Sequence, residues 1–140
     1  MLLELLFVYG TLRRNTRSEM HRQFERLAEY LGEAVFQGRL YRVADYPGAV
    51  PSPCAEDKIQ GEVYRLSDSD RVFELLDAYE ECGPHFPQPA EYVRRKEPVQ
   101  LKDGRLIKAW IYLYNRPTEN LRRIESGDFL AEPPPDDPEQ

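Results

Sequence analysis

Strand-like and helical segments follow one another in this chain as strand, helix, strand, strand, helix, strand, strand. That order does not alternate strictly, so a doubly wound parallel sheet is excluded. The implied hairpins require antiparallel pairing. The expected class is α+β, with a mixed and strongly curved sheet flanked by short helices. The first strand covers Leu3 to Tyr9. Ser18 then looks like an N-cap for a helix carrying Met20, Phe24, Leu27, Ala28 and Leu31 at helical spacing, with Gly32 as its stop. Ala34 to Val43 and Ile59 to Leu66 read as strands. Between them, prolines 47, 51 and 53 remove ladder donors, so that loop cannot be a central strand. Ser67 is the expected cap of a second helix that runs to about Tyr79 or Glu80. Glu91 to Leu101 and Arg105 to Tyr114 form a hairpin across Asp103-Gly104. A short helical turn is expected near Thr118.

Length and charge narrow the function. With 140 residues the chain makes one domain with a real core, here residues 1–130. The tail, 131–140, is Pro-rich and acidic and is expected to be disordered. Acids outnumber bases 25 to 19, for a net charge of −6, which argues against nonspecific nucleic-acid binding. No apolar run approaches the roughly 20 residues of a membrane span. The start has no basic n-region, and Glu4 interrupts its apolar run, so a signal peptide is not expected. Cys54 and Cys82 make neither a disulfide framework nor a zinc knuckle, and His21 and His85 are the only imidazoles. Reduced thiols in a cytoplasmic protein are the simplest reading, with no metal site.

Two places stand out chemically. Leu5-Leu6-Phe7-Val8 stops at Tyr9-Gly10-Thr11-Leu12, a strand delivering a glycine loop suited to a small anion such as a carboxylate. In the second helix, about 100° per residue places Val72, Phe73, Leu75, Leu76 and Tyr79 on one side. Glu80 falls in that apolar sector if the helix reaches residue 81, whereas Glu81 falls opposite, with Asp70, Glu74 and Asp77. An inward carboxylate is costly unless paired or protonated. Pairing with an arginine such as Arg94 is one outcome, and a helix that frays first and leaves Glu80 in water is a second; a proton affinity raised toward neutrality, fit for general acid and base work, is the third.

Together these segments resemble the γ-glutamylcyclotransferase (AIG2-like) family. The resemblance rests on Tyr9-Gly10-Thr11-Leu12, Gly38-Arg39-Leu40-Tyr41, Tyr46-Pro47-Gly48, Gly61-Glu62-Val63-Tyr64, Leu76-Asp77 with Glu80, Glu91-Tyr92-Val93-Arg94 and Ala109-Trp110-Ile111-Tyr112, in order over roughly residues 3–130. It implies a small mixed β-barrel flanked by helices, with a cavity at one side. It also implies ring closure of a γ-glutamyl compound to 5-oxoproline and a free amine, without metal or organic cofactor. Tyr9, Gly10, Thr11 and Leu12 would hold the substrate, and Glu80 would be the acid/base. Where many members have Gly after the catalytic Glu, this chain has Glu81-Cys82, an arrangement resembling the γ-glutamylamine cyclotransferase branch. Tyr46, Tyr92 and Tyr114 are candidates to line the cavity, although aromatics dominate cores in any case. The partner implied is a small γ-glutamyl molecule, the protein being a monomer or weak homodimer with no nucleic-acid or membrane partner. Two other readings use the same residues: a module that binds but does not turn over, and an enzyme removing a γ-glutamyl group from a pathway intermediate.

Overall fold

The computed structural model of the chain describes residues 4–10, 19–44, 46–79 and 91–131, with the backbone alone at 19–21, 78–79 and 131. Its strands are β1 (Glu4–Val8), β2 (Ala28–Arg42), β3 (Pro47–Pro51), β4 (Lys58–Leu66), β5 (Tyr92–Leu101), β6 (Leu106–Tyr114) and β7 (Arg122–Ile124). Helix α1 spans Glu19–Glu25, helix α2 spans Ser69–Tyr79, and a 3-10 turn covers Phe129–Ala131.

Alternation along β1 sets the layers. Leu6 and Val8 project to one face and Phe7 to the other, because successive side chains in a strand point oppositely. Phe7 enters a core with Ala34, Phe36, Ile59, Val63, Val99, Ala109, Ile111 and Leu113. Leu6 and Val8 face outward into a second apolar layer, where Phe24 of α1 and Val72, Phe73 and Leu76 of α2 cover Tyr64, Leu66, Tyr92 and Tyr112. The first core is enclosed by a ring of strands in the order β2-β4-β1-β6-β5. β1 runs parallel to β6 (Leu6 opposite Trp110) and antiparallel to β4. Ala34 opposite Leu101 and Val35 opposite Gln100 close the ring. The class is the expected α+β, with a small mixed barrel flanked by helices.

β2 is longer than the barrel needs. Beyond residue 37 it leaves β4 and carries β3 on one side and β7 on the other. The proline-containing segment is therefore an edge strand, compatible with its missing donors. β7 was not foreseen. It is held by Asp57, whose carboxylate accepts from Arg39 Nε at 2.8 Å, from an Arg123 terminal nitrogen at 2.8 Å and from Ser52 Oγ at 2.6 Å. The Ser52 hydroxyl first, then the two guanidinium groups, hold that carboxyl well below the usual carboxylate range.

Two expectations need correction. α1 ends at Glu25, and Leu27–Leu31 continue into β2 instead of the helix. The apparent helical spacing failed because Gly32 is not a stop: with φ +153° it sits at a bulge between Tyr30 and Gly32, leaving Leu31 45% exposed. Ser67 does not cap α2. Its N–H and hydroxyl both donate to the Leu27 carbonyl, and Asp68 supplies the cap by accepting from the Arg71 N–H at 3.3 Å. The short turn expected near Thr118 is present as a single turn, with the Leu121 N–H donating to the Thr118 carbonyl at 2.9 Å. Of the expected tail, 131–140, Ala131 is the last residue of the 3-10 turn, and residues 132–140 lie outside the described residues.

Candidate active site

Where β1 ends, Tyr9 and Gly10 leave the barrel. The Tyr9 ring is buried in the barrel core, and its hydroxyl donates to the Tyr112 carbonyl at 2.5 Å, tying the exit of β1 to β6. Gly10 lies against the ring of Pro47: a Cβ built there would stand 3.0 Å from its Cγ and 3.1 Å from its Cδ. Among the described residues Gly10 is not one of the positive-φ glycines. Close approach, and not a left-handed backbone, is what favours glycine here. Thr11 and Leu12 lie outside the described residues.

Pro47 is also the meeting point of the aromatic candidates. Tyr92 and Tyr114 oppose each other across β5 and β6, so their side chains share the outer face. Their rings are 5.7 Å apart and edge-on. Tyr46 lies 6.3 Å from the Tyr92 ring, and its hydroxyl donates to Glu91 Oε2 at 2.6 Å. The Tyr92 hydroxyl donates to the Pro47 carbonyl at 2.5 Å. Gly48 passes beneath Tyr114, with room for no Cβ. Burial, and then the negative charge of Glu91, push the Tyr114 phenol above its ordinary value, partly offset by Arg116. Gly10, Tyr46, Tyr92 and Tyr114 thus gather around Pro47–Gly48. Tyr9 approaches the group from the barrel side.

Sequence reasoning misplaced one acid. Asp77 does not belong to the solvated face of α2. Its Oδ1 accepts from Arg94 Nε at 3.0 Å and from the Tyr112 hydroxyl at 2.6 Å, and its Oδ2 accepts from an Arg94 terminal nitrogen at 3.1 Å. The Arg94 guanidinium carbon lies 3.9 Å over the Phe73 ring and 5.0 Å over that of Trp110. The signal was present: Asp77 follows Phe73 by four positions, only about 40° around the helix. Asp70 and Glu74 are exposed, as expected. Glu80 follows directly on the last residue of α2 and lies outside the described residues, as do Glu81, Cys82 and His85. Cys54 is a free, exposed thiol. Among the described residues no cluster of three His, Cys, Asp or Glu side chains is arranged to hold a metal, and no helix is long and apolar enough to cross a membrane.

A small closed mixed barrel with a glycine at the exit of its first strand, tyrosines gathered around Pro47–Gly48 and a helix tied to its outer face defines a class of compact α+β proteins. Residues 6–131 match the profile of the family described as gamma-glutamyl cyclotransferase, AIG2-like. The chain belongs to that family. It is 35% identical over 126 residues to gamma-glutamylcyclotransferase family protein YtfP of Escherichia coli, covering 89% of this chain and 95% of that one. The solution structure of the E. coli protein superposes with a TM-score of 0.60, at 33% identity, covering 91% and 96% of the two chains. YkqA of Bacillus subtilis gives a TM-score of 0.66 at 27% identity over 91% of this chain, which spans only 39% of YkqA. An AIG2-like protein from Mus musculus shares the fold, with a TM-score of 0.68 at 20% identity over 96% of this chain and 86% of the mouse chain.

Proposed function

We propose that this protein converts a γ-glutamyl amine or γ-glutamyl amino acid to 5-oxoproline and the free amine, with Glu80 as the acid/base. The α-amine nitrogen of the donor attacks its own γ-carbonyl carbon, forming the ring N–C bond. The Glu80 carboxylate takes the proton that this nitrogen loses. As the tetrahedral carbon collapses, the bond to the departing nitrogen breaks, and that nitrogen receives the proton. Atoms balance without water or cofactor. One carboxylate performing both transfers contributes about 10²–10⁴-fold. Holding the γ-glutamyl chain folded for attack supplies the other main effect. In this reading Tyr9 to Leu12 hold the donor's amino-acid end, Tyr46, Tyr92 and Tyr114 line the cavity, and the setting is cytoplasmic, with the protein a monomer or weak homodimer.

The observation that carries the reading is the convergence of two family segments on one residue. Tyr112 accepts from Tyr9 through its carbonyl and donates to Asp77 through its hydroxyl. The glycine exit of β1 and the helix turn preceding Glu80 therefore rest on the same strand. The test is release of 5-oxoproline from a panel of γ-glutamyl dipeptides and γ-glutamyl amines, by wild type and by Glu80→Gln. Turnover by wild type that is lost in the variant supports the assignment. Silence of wild type on every donor, with a γ-glutamyl ligand still bound, would make the protein a binding module instead.

A further inference from the structure

We propose that Asp77 is a positioning residue, locking the last turn of α2 to the same point of β6 that holds the exit of β1. This inference rests on the reading above, in which the residue directly after α2 carries the proton. The carboxylate is satisfied from two strands at once. Arg94 of β5 grips both oxygens with its fork, and Tyr112 of β6 donates to Oδ1. A two-pronged guanidinium–carboxylate contact fixes direction as well as distance.

The fork is itself held. The guanidinium lies over Phe73, one helical turn before Asp77, and over Trp110 on β6. Helix, strand and cation therefore interlock through rings as well as through charge. Tyr112 supplies the link across the sheet: its hydroxyl reaches the helix on the outer face, and its carbonyl accepts from Tyr9, whose ring lies in the barrel core. A partly exposed ion pair adds little to stability by its charge alone. Its geometry, though, fixes the rotation and height of the helix end relative to the glycine exit. A displacement of about 1 Å between catalytic groups can cost on the order of 100-fold in rate.

The experiment compares Asp77→Asn, Arg94→Lys and Tyr112→Phe in two arms. In the first, amide hydrogen exchange is followed over residues 74–79. Faster exchange confined to that turn in all three variants is expected, and unchanged protection overturns the brace whether or not any donor is turned over. In the second, 5-oxoproline release is measured. The expected result is a fall in kcat of about 10- to 100-fold with KM nearly constant. Arg94→Lys should fail to rescue, because lysine keeps the charge but loses the fork. An unchanged kcat, a loss confined to KM, or full activity in Arg94→Lys overturns the positioning role. Silence of wild type on every donor overturns the functional reading, and the exchange arm then decides the brace by itself.

Discussion

The phenol of Tyr92 donates to the carbonyl of Pro47 at 2.5 Å, joining the start of β5 to the first residue of the edge strand β3. Tyr92 is almost fully buried, so the bond is made away from water. Tyr92→Phe should leave that carbonyl short of a donor and destabilise the fold by about 1–3 kcal/mol. Urea unfolding of the two proteins measures the difference. A change within error would show that the contact is replaced at no cost.

At Gly10 the constraint is the Pro47 ring, 3.0 Å from where a Cβ would lie. Gly10→Ala asks the ring to shift by a few tenths of an ångström, whereas Gly10→Val adds branches that it cannot clear. Overpacking of this kind costs about 1–3 kcal/mol. If the loop holds the donor as proposed, this should raise KM on the order of tenfold in Gly10→Val and much less in Gly10→Ala. Steady-state kinetics on one active donor checks both. An unchanged KM in the valine variant would remove the loop from substrate binding.

Glu80 and Glu81 are neighbours with opposite expected roles. Glu80→Gln should fold as wild type and lose about 10²–10⁴-fold in kcat, while Glu81→Gln keeps most turnover. Equal losses would contradict the assignment of the two residues to opposite faces. Circular dichroism melts of both variants separate a chemical loss from a folding loss.

Asp57 makes stability depend on acid pH. Its pKa in the folded protein is depressed by Ser52, Arg39 and Arg123. The stabilisation is therefore fully present above the ordinary carboxylate value of about 4 and is lost as pH falls through the lower folded value. Asp57→Asn should melt below wild type at about pH 7, and the gap should narrow steadily as the solution is acidified below about pH 4. A gap independent of pH would mean that the three hydrogen bonds hold β7 without help from charge.

The barrel was largely legible because its strands announce themselves by period and by turn chemistry. The Glu91–Tyr114 hairpin closes over Asp103-Gly104 with Gln100 opposite Leu106. β1 and β4 fall within about two residues of their expected bounds. What the residues did not disclose was long-range. Leu27 and Leu31 fit a helical stripe, and only the bulge at Gly32 shows why the chain prefers β4 as a partner. β7 is three residues long and polar at two of them, too short for any period to register. At the candidate site, Gly10 and the three outer tyrosines were named by residue type, yet their common support, Pro47–Gly48, emerges only from β3 lying along β2. Helical geometry puts Asp77 only about 40° from Phe73, but which acid of the helix the distant strand cation Arg94 claims is settled by the sheet and not by the helix.

Ala28–Arg42 serves both the closed barrel and the small outlying sheet of β3 and β7. A shared spine of this kind leaves no joint at which the two halves can part. The rim carrying Pro47 and Gly48 is rooted in the same backbone as the barrel wall, so loosening one loosens the other, and the chain should melt as one cooperative body.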